Sequence, residues 1–309
     1  MIDRFRTDCR YHSGMDAPFP PLPQDLLAAA HRLLARAPDC HKYDFGRVLV
    51  IGGSRSMAGA PALAGMAVLR GAAGVVEIAV PQAIAPVVAG FDPALIVHGL
   101  PEDGGGHFGA EALDGLLALA QKADVVVCGP GMGRGPALAD LVERLWQSFP
   151  RLLLLDADGL NALAGLPRER LRAPAGSRML TPHAGEMQRL LGSVCSERAA
   201  LEAEATAYAA ELDAVLVLKG HRTLVTDGVR NQHNASGGPG LATAGTGDVL
   251  SGLIGALAAQ GLTPFEAARL GAWLHGVAGE LACEALTAPG MTAGDVLDAL
   301  PMAWKALAE

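Results

Sequence analysis

Charge is scarce in this chain. Only 18% of its 309 residues are charged, while 50% are apolar. Disorder needs low hydrophobicity and high net charge, so it is excluded for the bulk of the sequence. Positive charge is the scarcer sign: 24 Lys and Arg stand against 32 Asp and Glu, a net charge of −8. That balance gives no reason to expect nucleic acid or an anionic membrane as a partner. Cysteine is sparse too. Cys9, Cys40, Cys128, Cys195 and Cys283 are odd in number, far apart and free of any C-x-x-C pair. The pattern argues against a disulfide frame or a zinc site, and for a reducing cytosol. The N-terminus, Met1 to Arg6, runs into polar residues without the apolar core of a secretory signal. The most apolar late stretch, Val249 to Leu262, is too short for a bilayer and is interrupted by Gly252, Gly255 and Gly261. No G-x-x-x-x-G-K-[ST] occurs, which excludes a P-loop enzyme.

What is present fits one large α/β unit. Residues 1–23, with their charge, glycine and the cluster Pro18, Pro20, Pro21, Pro23, read as a loose leader. Residues 24–309 read as a single domain without repeat, composition break or linker. Helical periodicity over 24–36 stops before Pro38. Short apolar runs then alternate with longer Ala/Leu-rich segments. The runs predict strands over 47–51, 75–80, 94–98, 124–128, 152–156, 178–181, 214–219, 223–226 and 229–233. The longer segments predict helices over 59–72, 109–122, 136–147, 158–164, 185–191, 196–211, 247–260, 264–285 and 293–307. Continuous apolar strands are those covered by helices on both faces. The expected fold is a three-layer α/β/α sandwich with a mostly parallel sheet. The strand pair over 214–233, split by Asp227-Gly228, predicts an antiparallel hairpin at a sheet edge.

In open parallel sheets, ligands gather at the carboxyl ends of the strands. The segments that follow the predicted strands are Gly52-Gly53-Ser54, Gly129-Pro130-Gly131-Met132-Gly133, Asp156-Ala157-Asp158-Gly159, Pro182-His183-Ala184-Gly185-Glu186 and Lys219-Gly220. The strongest signal is Ala244-Gly245-Thr246-Gly247-Asp248, which opens a long apolar helix. Glycines turn backbone N–H groups towards an anion, and the helix N-terminus adds partial positive charge. The plainer reading is a glycine turn with an aspartate cap; a second glycine loop at Gly237-Gly238-Pro239-Gly240 favours function. Lys219 can reach a phosphate or can be a solvated lysine in a hairpin turn. His183 and Glu186 can be a site pair or a helix cap. Asp156 and Asp158 can hold magnesium through water or cap a helix. His275, inside a helix, reads as a core histidine. A formal G-x-G-x-x-G at Gly104, Gly106 and Gly109 lacks the acidic residue of a dinucleotide fingerprint and reads as a flexible loop.

Together these pieces resemble the ADP/ATP-dependent NAD(P)H-hydrate dehydratases of the ribokinase-like superfamily. The resemblance runs from about Arg36 to Pro301. Its motifs stand in order: Phe45-Gly46-Arg47 to Ser54, Gly59-Ala60-Pro61, Leu69-Arg70-Gly71, Gly129 to Gly133, Asp156 to Asn161, Thr181 to Glu186, Leu218-Lys219-Gly220 with Thr223, Gly245 to Gly252, and Leu274-His275-Gly276. Two positions depart: Met57 stands where the family often has tyrosine, and Ala184 where it often has proline. The epimerase domain fused to many relatives is expected to be absent. The resemblance implies phosphorylation of the hydroxyl on hydrated NADH or NADPH, loss of phosphate, and return of the ring double bond. It implies ADP as donor, with magnesium on the donor and no dedicated protein cage, and a homotetramer. Carried over position by position, it implies that Ala60, Gly133 and His183 contact substrate. It implies that Lys219, Gly220, His221, Arg222 and Thr223 hold the donor's phosphates or AMP portion. Gly245, Thr246 and Gly247 fall on the nucleotide loop, and Asp248 on the base that faces the hydroxyl. At a helix N-terminus the dipole favours an ionised Asp248, hence a weak base. A small-molecule kinase of the same superfamily shares the glycine–aspartate loop, and a nucleotide sensor without catalysis is a third reading.

Overall fold

The computed structural model describes residues 19–308. Nine strands form one sheet in the order β3-β2-β1-β4-β5-β6-β7-β8-β9. They are β1 (Arg47–Ile51), β2 (Val75–Pro81), β3 (Ile96–Leu100), β4 (Val125–Cys128), β5 (Leu152–Leu155), β6 (Arg178–Leu180), β7 (Ala214–Leu218), β8 (Leu224–Thr226) and β9 (Asn231–His233). β1 to β7 pair in parallel, and β8 and β9 add antiparallel. Each predicted strand is present within two residues; the central ones are short buried apolar runs that leave little choice of conformation, while the exposed β9 (Asn-Gln-His) is held by its turn and its pairing with β8. The Asp227-Gly228 turn joins β8 to β9 at the edge, as expected.

Successive side chains of a strand point to opposite faces, and here each face has its own core. Val48, Val50, Val125, Val127 and Leu154 pack beneath α2 (Gly59–Arg70), α9 (Thr246–Ala259), α10 (Pro264–Leu286) and α11 (Ala293–Ala308). Leu49, Ile51, Val126, Leu153 and Leu155 pack against α4 (Leu113–Ala120), α5 (Pro136–Ser148), α6 (Asp158–Ala164), α7 (Ala184–Leu191) and α8 (Arg198–Leu212). The result is the expected three-layer sandwich. The glycines that interrupt α9 bring it close to its neighbours. A Cβ on Gly252 would fall 2.1 Å from Ala64 O of α2, and one on Gly255 would fall 2.6 Å from Val127 of β4. Larger residues would push this helix, and the loop at its start, off the sheet.

Three features differ from expectation. A short helix, α3 (Ala85–Ala89), was too brief for its periodicity to show. Of the predicted leader, residues 1–18 lie outside the described residues, and residues 19–23 are packed. Leu22 is buried beside α1 (Gln24–Leu34), and Trp273 Nε1 donates to Pro20 O at 2.9 Å. Cys283 on α10 is disulfide-bonded, which corrects the expectation of no pairing, whereas Cys40, Cys128 and Cys195 are free. Sequence spacing carries no information on distant cysteines that the fold brings together. Among the described residues, no helix is long and apolar enough to cross a membrane.

Candidate functional site

The carboxyl ends of β1, β4, β5, β6 and β7 lie side by side, and the segments that leave them meet the start of α9. One ammonium and several carboxylates form the centre. Lys219, one residue past β7, places Nζ 2.7 Å from Asp156 Oδ1 and 3.8 Å from Glu186 Oε2. A Cβ on Gly247 would lie 3.3 Å from the same Nζ and 4.0 Å from Asp156 Oδ2, so the first turn of α9 sits directly over this pair. Burial works against the Lys219 charge, but Asp156, Glu186 and Asp248 outweigh it and hold its pKa above the ordinary lysine value.

Asp248 lies in the first turn of α9. Burial, reinforced by Asp156, Asp158 and Glu186, pushes its pKa up to about 7 against the opposing pull of Lys219. This corrects the expectation from the helix dipole alone. Loss of water and three nearby like charges outweigh the partial charge of a helix end. The group is therefore a competent base near neutrality, not a weak one. Gly245 opens the helix at φ 91°, and Val249 N–H is bonded back to Gly245 O. Helix geometry leaves the N–H groups of Thr246, Gly247 and Asp248 without intrahelical partners, an arrangement suited to an anion. Thr246 Oγ1 turns back to Leu241 O at 2.9 Å, and His275 Nε2 lies 2.9 Å from Thr246 O. Burial pushes His275 down to about 4, so it is neutral and donates to that carbonyl. It is a core histidine, as expected, and it anchors the loop.

The stretch Lys219–Thr223 splits in two. Gly220 and Thr223 shape the turn, with Thr223 Oγ1 3.2 Å from Gly220 O, while His221 and Arg222 are exposed. Arg198 of α8 fixes the turn by donating to Leu218 O and Lys219 O at 3.0 and 3.2 Å.

A second group of residues surrounds the turn after β4. Gly133 N–H donates to Asp158 Oδ2 at 2.8 Å, and Asn161 Nδ2 donates to Asp158 Oδ1 at 3.0 Å. Ala157, at φ 48°, is a strained residue that separates Asp156 from Asp158. A Cβ on Gly131 would fall 3.0 Å from the Cβ of Ala60, so Ala60 and Gly133 flank one turn. His183 follows β6 and bridges to Lys219 on the next strand. Its Nδ1 accepts from Gly185 N–H and Glu186 N–H at 3.0 and 3.3 Å, and its own N–H donates to Glu186 Oε2 at 2.8 Å. The capping reading of Glu186 is therefore correct, and the same carboxylate also faces Lys219. We expect His183→Ala to cost about 1 kcal/mol of stability through the lost cap. On the substrate role that the resemblance implies for His183, it should also raise KM for the hydrated dinucleotide more than for ADP. His183→Asn restores a capping oxygen without the imidazole, so denaturant unfolding should recover while the KM does not. Recovery of both would make His183 a cap alone.

His107, which carried no functional expectation from its spacing, is brought to Gly133 by the loop after β3. Its only signal was the glycine pattern around it. Among the described residues no group of three or more His, Cys, Asp or Glu is arranged to hold a metal ion.

A family model described as NAD(P)H-hydrate dehydratase matches residues 48–302. The chain is 39% identical over 291 residues to the ADP-dependent (S)-NAD(P)H-hydrate dehydratase of Neisseria meningitidis, covering 89% of this chain and 90% of that protein. It is 43% identical over 304 residues to the bifunctional NAD(P)H-hydrate repair enzyme of Moorella thermoacetica, covering 93% of this chain and 57% of that longer protein. Among solved structures, the ADP/ATP-dependent NAD(P)H-hydrate dehydratase of Bacillus subtilis, co-crystallised with ATP/Mg2+, superposes at TM-score 0.75 with 27% identity, covering 95% of this chain and 99% of that one. A ribokinase-like superfamily protein from Enterococcus faecalis shares the fold at TM-score 0.73 with 26% identity, covering 93% of this chain and 95% of that one. With a ribokinase-like sandwich and a family match that spans most of its length, the chain belongs to the NAD(P)H-hydrate dehydratase family.

Proposed function

We propose that this chain is an ADP-dependent dehydratase that repairs hydrated NADH and NADPH. The observation that carries the reading is Asp248, a carboxylate with a pKa of about 7, beside Lys219 and the open N-terminus of α9. The ring hydroxyl is a poor leaving group. Its oxygen attacks the terminal phosphorus of ADP, the bond to AMP breaks, and Asp248 accepts the hydroxyl proton. The C–O bond then breaks with phosphate as the leaving group, the adjacent carbon releases a proton, and the double bond returns. Phosphoryl transfer needs mainly positioning and charge neutralisation. Lys219 Nζ and the N–H groups of Thr246 and Gly247 supply both for the donor's phosphates. Gly220, His221, Arg222, Thr223 and Gly245 border that donor end; Ala60, Gly133 and His183 border the acceptor end.

Magnesium fits this site as a companion of the donor. Asp156 and Glu186 are oxygen donors, yet they are already engaged by Lys219, so they suit a hydrated ion held chiefly by phosphates. When bound, the ion neutralises charge on those phosphates. The test is absorbance at the reduced-nicotinamide band with hydrated NADH plus ADP, run in parallel with ATP. Appearance of NADH with a preference for ADP is expected. A preference for ATP at equal concentration sinks the donor assignment. Phosphorylation of simple alcohols instead of dehydration sinks the whole reading.

We place the activity in the cytosol because, among the four described cysteines, Cys40, Cys128 and Cys195 are free thiols, with the disulfide at Cys283 as the counter-observation. We also propose a homotetramer. Val87, Phe91 and Ile96 are exposed around the edge strand β3, apolar surface that a second copy would cover. A monomer mass by light scattering would refute it.

A further inference from the structure

The glycine-rich loop 101–109, expected to be flexible, is pinned and aimed at the acceptor end of the site. Glu102 and Phe108 pair as an antiparallel bridge, and Asp103 N–H donates to His107 O at 2.8 Å. Asp103 Oδ1 accepts from Gly105 N–H and His107 N–H at 2.8 and 2.9 Å. Arg55 ties the loop to the segment after β1: its N–H donates to Gly106 O and its guanidinium to Glu102 Oε1, both at 2.9 Å. Glu102 Oε2 accepts from Ala83 N–H at 3.0 Å, and Phe108 is buried in the core below.

These ties fix the His107 imidazole with one edge against Gly133. A Cβ on Gly133 would fall 2.3 Å from His107 Cδ2 and 2.5 Å from Nε2. The other edge faces Asp103, with Nδ1 3.6 Å from its Oδ1. In the tautomer with its proton on Nδ1, the edge that faces Asp103, the ring keeps a lone pair on Nε2. Among the described residues Nε2 meets no hydrogen-bond donor, and the side chain is 30% exposed. A ring nitrogen that is fixed by its loop, open to ligand and beside Gly133 has the chemistry to read a donor group.

We propose that His107 is a substrate-binding residue whose Nε2 accepts a hydrogen bond from the carboxamide N–H of the hydrated nicotinamide. This rests on the dehydratase reading. It also gives Gly133 a reason to lack a side chain, since any Cβ would displace the imidazole.

The test compares steady-state kinetics of wild type, His107→Ala and His107→Gln with hydrated NADH and ADP. The loop bonds run through the His107 backbone, so both variants should melt as wild type does. His107→Ala should raise KM for the hydrated dinucleotide about three- to ten-fold, the effect of one hydrogen bond. Its kcat and its KM for ADP should barely move. His107→Gln, which keeps an acceptor oxygen at similar reach, should recover most of the loss. An unchanged KM for the hydrate, equal rises for both substrates, or no recovery in the Gln variant overturns the proposal. A wild-type protein that does not convert hydrated NADH overturns the dehydratase reading and this assignment together.

Discussion

Asp248→Asn is expected to give a folded protein that binds ADP but restores NADH roughly 10²–10⁴-fold more slowly, the usual range for a lost general base. Wild-type activity should rise with pH through about 7, where Asp248 ionises, and the variant's residual activity should lack that rise. Stability should move the opposite way. The folded pKa of Asp248 is raised from 3.8 to about 7, so the folded state holds its proton more tightly than the unfolded chain does. Stability from this group is present below 3.8 and is lost as pH climbs to about 7. Asn carries no proton to lose, so the variant should be more stable than wild type above neutrality. Denaturant unfolding across that range reads this directly. Near-normal turnover in the Asn variant would leave Asp248 without a catalytic role.

Lys219→Met should damage both fold and catalysis. Asp156 is 1% exposed and would lose its partner; an uncompensated buried charge costs about 3 kcal/mol. Asp248 would lose the one nearby charge that lowers its pKa, so its titration should move above 7. The donor's phosphates would lose their ammonium, and kcat/KM with ADP should fall at least about 100-fold. Adding Asp156→Asn to Lys219→Met should recover most of the stability and none of the activity. That separation matters, because a purely structural lysine would let both recover. Unfolding and ADP kinetics that match wild type would make Lys219 a bystander.

Much of the fold was legible from the residues. β1 after Arg47, β4 and β5 are apolar runs of four residues, and buried strands read this way because both of their faces meet helices. The loop before α9 was legible too, since glycines ahead of a long apolar helix mark a turn and an anion-ready terminus together. Arg178 was not. It begins β6 at 1% exposure, and its guanidinium donates to Leu145 O and Phe149 O, closing the C-terminal end of α5. No local pattern announces that a strand's first residue will cap a distant helix.

The sequence by itself determined the alternation of strands and helices, the sandwich they build and the polar segments at the strand ends. Periodicity and glycine placement act over a few residues and need no distant partner. Only the tertiary structure decided which of those segments meet. Sheet order sets β5, β6 and β7 side by side, and so brings Lys219 to Asp156 across 63 residues of chain. That meeting, with the water it excludes, reversed the expectation for Asp248: burial and its carboxylate neighbours act through space, and their sum exceeds what the helix terminus offers locally. The same contacts through space turned loop 101–109 from a flexible connection into the mount that holds His107 against Gly133.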